Sequence, residues 1–105
     1  VDILIDQQFK YISNLIGLLR EEDKNQLLKW GIQKRSPFEW MTYLTEEIGE
    51  LAQAISENHY RDGSYLKVLK EAIQSATLCL KIAEMYMAYY DGSMKNQKIF
   101  EEDKP

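Results

Sequence analysis

Residues 36–51 read Ser36-Pro37-Phe38-Glu39-Trp40-Met41-Thr42-Tyr43-Leu44-Thr45-Glu46-Glu47-Ile48-Gly49-Glu50-Leu51, and the fold is decided by what this stretch does. A serine followed by proline and then by glutamate three positions after the serine is a helix start. The hydroxyl accepts from a free backbone N–H, the glutamate reaches back to the serine N–H, and proline lacks a donor that the first turn would leave unpaired. From there Met41, Leu44, Ile48, Leu51 and Ile55 step 3-4-3-4 along one face, which predicts a helix running to the neighbourhood of Asn58. Arg61-Asp62-Gly63 then supplies a turn.

The same pattern extends outward in both directions. Downstream, Ser64 can cap a further helix whose Leu66, Leu69, Ile73, Ala76, Leu80, Ala83 and Met87 keep heptad-like steps, ending near Tyr90-Asp91-Gly92. Upstream, Ile5, Phe9, Ile12, Ile16 and Leu19 predict a helix over roughly residues 2–21. A polar run, Arg20 to Gln26, follows, and Leu27, Leu28 and Trp30 resume the apolar pattern up to Gly31, where left-handed backbone closes the turn. No segment alternates as a strand would. The expectation is an all-α bundle of three to four helices in one domain over residues 1–92, with a tail at 93–105 that is mobile or ordered only against a partner.

The last long helix also carries Val68, Ala72, Leu78, Cys79, Ile82 and Tyr86 on its other sides. A helix apolar almost all round must be covered on more than one face, and 105 residues supply little cover. Homo-oligomerisation, as a dimer or a tetramer, is therefore expected to complete the bundle. Cys79 is expected to be a buried thiol with no redox role.

Composition narrows the function. Net charge is −4, from 13 Lys and Arg against 17 Asp and Glu, and no basic block lines any helix, so duplex nucleic acid is disfavoured as a partner. No apolar run approaches the roughly 18 residues of a membrane span, and the N-terminus lacks the marks of a secretory signal, which points to the cytoplasm. Val1 at the start suggests that a segment has been removed before it.

Against this background the carboxylates stand out. Glu46, Glu47 and Glu50 fall within an arc of about 100° on one helix, beside the Leu44/Ile48/Leu51 seam. Glu71 and Gln74 form an i, i+3 pair on the next helix, flanked by Lys67 and Lys70. If the two helices pack antiparallel across their short connection, these groups converge. A glutamate cluster is more often a solvated helix face; the position beside the seam and the second set on the facing helix argue for a divalent ion instead. Oxygen ligands on rigid helices suit Mg²⁺, with Mn²⁺ as a possible substitute, and such an ion can activate water and neutralise a leaving phosphate.

The pattern resembles a known family. Glu46-Glu47-Ile48-Gly49-Glu50 is similar to the Glu-Glu-x-x-Glu motif of the MazG-like all-α nucleoside triphosphate pyrophosphohydrolases, and Glu71-Ala72-Ile73-Gln74 stands where they carry Glu-x-x-Asp. Trp30-Gly31 and the Pro37-to-Met41 approach resemble the small members, so the likeness covers roughly residues 27–87. It implies a dimer-built helical bundle, Mg²⁺ held by glutamates, and cleavage of an NTP or dNTP to monophosphate and pyrophosphate in nucleotide-pool house-cleaning. By position, Glu47, Glu50 and Glu71 would be metal ligands, with Glu46 a ligand or the group orienting the attacking water. Gln74 is the departure: its neutral amide offers an oxygen but no charge, so metal affinity is expected to be weaker than with aspartate.

Beyond the metal ligands, Trp30, more than Trp40, is a candidate for stacking on a base, and Lys34, Arg35, Arg61, Lys67 and Lys70 are candidate phosphate partners, Lys67 and Lys70 being nearest Glu71. His59 is expected to face solvent at a helix C-terminus. The competing expectation is a MazG-like bundle without catalysis that binds nucleotide or protein, with Gln74 marking lost chemistry. A ferritin-like di-metal site is set aside, because it needs Glu-x-x-His on each of two helices and His59 is the only histidine.

Overall fold

The computed structural model describes residues 1–100, and among them the chain forms four α-helices and no strand: α1 (Asp2–Gln8), α2 (Ile12–Trp30), α3 (Pro37–Arg61) and α4 (Tyr65–Tyr89). No helix among the described residues is long and apolar enough to cross a membrane.

The start of α3 is the capping box expected from Ser36. Ser36 Oγ accepts from Glu39 N at 3.2 Å, and Glu39 Oε1 accepts from Ser36 N at 3.1 Å. That backbone N–H holds the Glu39 carboxyl below its usual value. At the far end, Asp62 takes the left-handed conformation (φ 56°, ψ 30°) and Asn58 Nδ2 donates to the Gly63 carbonyl at 2.7 Å. Space at Gly63 is tight: a Cβ there would lie 3.0–3.1 Å from Glu57 and Asn58 atoms. Ser64 then caps α4, accepting from the N–H groups of Leu66 and Lys67. The turn reverses the chain, so α3 and α4 run antiparallel, and they make the most extensive packing contact in the molecule.

The core sits at one end of that pair, where Trp40, Leu44 and Leu78 are buried and Ile82 and Met85 pack against them. α2 lies across α4, pinned by an ion pair of Lys81 Nζ with Asp23 Oδ1 at 3.0 Å; Lys81 Nζ also sits 5.2 Å from the centre of the Trp40 ring.

Three features differ from the sequence expectations. The first helix is two: Phe9 leaves helical geometry (φ −115°, ψ 42°), although nothing in the residue types at 9–11 dictates a break. α2 then continues straight through the polar run Arg20 to Gln26 and ends at Gly31, whose φ of 71° suits glycine while its ψ of −168° is extended, not left-handed helical. Cys79 is exposed, because α4 is covered along one side and Cys79 stands outside that stripe.

The inward stripes are also displaced by about a residue from the most apolar ones. On α3 they are Trp40, Leu44, Glu47, Leu51 and Ala54; on α4, Glu71, Ser75, Leu78, Ile82 and Met85. Met41, Ile48 and Ile55 of α3 are about half exposed, as are Leu80 and Met87 of α4, while Leu66 is 76% exposed. Past α4 the helix widens into a π-helical turn, Tyr90–Met94, and the Tyr90 hydroxyl donates to the carbonyls of Lys95 and Gln97. The expected tail thus has local tethers up to Gln97, and its end, residues 101–105, lies outside the described residues.

Candidate functional site

Because α3 runs into the Asp62–Ser64 turn and α4 runs back from it, residues of the two helices on either side of the turn face one another. Glu50 and Glu47 lie on the α3 side, and Glu71 lies opposite on α4. Each offers a carboxylate oxygen, and the three oxygens lie within 4.8 Å of one another. The environments are graded: Glu50 is exposed, Glu47 half-buried and Glu71 buried at 8% exposure. Oε2 of Glu47 and Oε2 of Glu71 are shielded from solvent and find no hydrogen-bond partner; neither does Ser75 Oγ, one turn along α4 from Glu71.

Like charges at this range cannot all persist without compensation. The Glu47 carboxyl is pushed up to about 7, first by burial, then by the charge on Glu50 and by the Glu71 carboxyl beside it. The donor set is all oxygen, mounted on two rigid helices, and it leaves buried acceptors unmatched. These are the properties that a small divalent cation needs from a protein.

Gln74, expected among the ligands, is half-buried on α4 and lines a cavity beside Glu47 and Lys70. Glu46 is exposed and stands outside the three-carboxylate cluster. The cavity, of about 850 Å³, opens between α2, the Gln33–Arg35 connection and the α3/α4 pair, and Glu47 belongs both to it and to the cluster. Trp30 stands on its wall, 63% exposed, with Lys29 Nζ 5.7 Å from its ring. Trp40 lines it too, and is a core residue as well.

Among the cations expected to meet phosphate, Lys70 and Arg35 reach the cavity, whereas Lys34, Lys67 and Arg61 are exposed outside its lining. Arg35 stacks over Tyr43 at 4.9 Å and pairs with Glu39 Oε2 at 3.3 Å, leaving its buried Nε without a partner. His59 is exposed in the last turn of α3 against Tyr60.

Apart from Trp30, sequence reasoning missed the α2 wall of this cavity, to which Glu22, Asn25, Gln26, Leu28 and Lys29 belong; four of these, Glu22, Asn25, Gln26 and Lys29, are polar. Their i, i+3, i+4, i+7 spacing was the available signal, obscured because polar residues at helical spacing look like a solvated surface. No family model, curated protein or solved structure matches the chain.

Proposed function

We propose that the chain is a Mg²⁺-dependent nucleoside triphosphate pyrophosphohydrolase, working as a cytoplasmic homo-oligomer in nucleotide-pool house-cleaning. The observation that carries this reading is Glu71, a buried carboxylate with an unpartnered oxygen in reach of Glu47 and Glu50. The residue pattern it shares with the MazG-like family and the adjoining cavity support the substrate class.

In this reading Glu47, Glu50 and Glu71 hold the ion, and Gln74 adds a neutral oxygen from the cavity side. A bound Mg²⁺ supplies charge neutralisation and lowers the pKa of coordinated water. The protein's own groups do the rest. Glu46, exposed next to Glu47 in sequence, orients water; Lys70 meets negative charge on the phosphates; Lys34 and Lys67 contribute from outside the cavity; Trp30 offers a face to the base. Two anions otherwise repel, so an acidic protein needs these cations to admit a triphosphate.

The exposed apolar side chains of Met41, Ile48 and Ile55 on α3 and of Leu66, Leu80 and Met87 on α4 support association of copies, dimer or tetramer. A second reading, a non-catalytic nucleotide-binding or protein-interaction bundle, is favoured by Gln74 where an acid would bind metal better. Purified protein given Mg²⁺ and a panel of NTPs and dNTPs separates the two. Pyrophosphate release that vanishes in Glu47→Ala and Glu50→Ala supports the enzyme, and no turnover with Mg²⁺ or Mn²⁺ supports the binding module.

A further inference from the structure

We infer that the cavity selects nucleotides whose base carries an exocyclic amine, through the carboxyl group of Glu22 braced by Gln26. The inference rests on the reading of the cavity as a nucleotide site and adds which bases that site takes.

The cavity has two ends. Glu47, Gln74 and Lys70 mark the first, next to the carboxylate cluster. Trp40 marks the second; it precedes Glu47 by two turns of α3, which at 1.5 Å per residue sets the ends about 10 Å apart. Glu22 belongs to the Trp40 end, because its neighbour Asp23 bonds Lys81, and the same Lys81 ammonium lies over the Trp40 ring. A nucleotide with its phosphates at the metal end therefore brings its base toward Glu22, between Trp40 and Leu78 on one side and α2 on the other.

The α2 side is polar where a helix facing inward would ordinarily be apolar. Glu22 and Gln26 are both half-buried, and Gln26 Nε2 donates to Glu22 Oε1 at 3.1 Å. That bond fixes the carboxyl group and uses one of its roughly four acceptor sites. The remaining oxygen positions are acceptors presented to the cavity. A 4-amino group donates to them, whereas a 4-keto group sets acceptor against acceptor, and a carboxylate reading an amino edge is an established pairing.

The test is equilibrium binding of CMP and UMP to the full chain with Mg²⁺, measured by calorimetry. These ligands carry the same sugar and phosphate, and their bases differ at C4 and N3. The expected result is CMP bound about tenfold or more tighter than UMP, the size of one good polar base contact. In Glu22→Gln, whose amide can serve either edge, and in Glu22→Ala, the ratio should fall to within about twofold while circular dichroism stays helical. Equal binding of the two ligands, tighter UMP, no binding of either, or a ratio unchanged in both variants overturns the inference. Hydrolysis plays no part in the readout. CMP preference without NTP turnover removes the hydrolase reading alone, and turnover without base preference removes this inference alone.

Discussion

Glu47 of α3 and Glu71 of α4 bring carboxylate oxygens within 4.8 Å of each other, and Oε2 of each is buried with no hydrogen-bond partner. Burying unmatched acceptors costs stability, and so does crowding like charge. The helices could relieve both by presenting apolar residues here, as they do one to two turns away at Leu44 and Leu78. That contrast supports the proposal that the cluster holds a divalent ion.

The raised Glu47 carboxyl makes the metal-free protein sensitive to pH in a direction that can be worked out. Its pKa is about 7 in the folded chain against an ordinary 4.5, so the folded state holds the proton more tightly. The contribution to stability is complete below the ordinary value and is lost as pH rises through about 7. In EDTA, Tm should therefore decline between about pH 5 and about pH 8, and Glu47→Gln should flatten that decline. A wild-type Tm that rises over the same interval would contradict the assignment.

Gln74→Asp should tighten Mg²⁺ binding several-fold, because a fourth charge joins the donor set beside Glu47. Calorimetric titration reads this directly. Equal or weaker affinity would place Gln74 outside the ion's coordination.

The proposed association of copies can be tested apart from the site. Leu80 of α4 is 48% exposed and, nine residues from Glu71, stands on the opposite side of its helix, so in the proposed oligomer Leu80→Glu should give a monomer of unchanged helix content. Light scattering on the eluting peak measures it. A wild-type chain that is already monomeric at working concentration would refute the proposed association.

The two ends of α3 have their own tests. Ser36→Ala should cost about 1 kcal/mol through the lost cap, and Gly63→Ala about 1–3 kcal/mol by driving a Cβ into the backbone of Glu57 and Asn58. Denaturant midpoints check both, and Gly63→Ala should also weaken metal binding, since the Asp62–Ser64 turn sets the register of Glu50 against Glu71.

How much of this was legible in the sequence depends on what kind of signal each part used. The caps at Ser36 and Ser64 and the turn at Gly63 were readable because their chemistry is local, and with them came the antiparallel pair and the meeting of Glu47, Glu50 and Glu71. The inward stripes were not. Helices apolar on two faces give a periodicity that does not say which face meets its own chain, and Met41, Ile48 and Leu80 had the stronger pattern while Glu47, Glu71 and Ser75 took the buried places. The same ambiguity put Cys79 inside when it is exposed. The polar run of α2 looked like a gap between helices because its Glu22 and Gln26 face a cavity instead of a core.

Glu47, Glu50 and Glu71 are proposed to bind one kind of divalent ion jointly. Calorimetric titration of Mn²⁺ at about pH 8, where Glu47 has lost its proton, tests it most directly in wild type and in Glu71→Gln. Saturable binding is expected in wild type, weakened by about tenfold or more when the buried carboxylate becomes an amide. Binding of equal strength in the two proteins, or no binding in wild type, would contradict it.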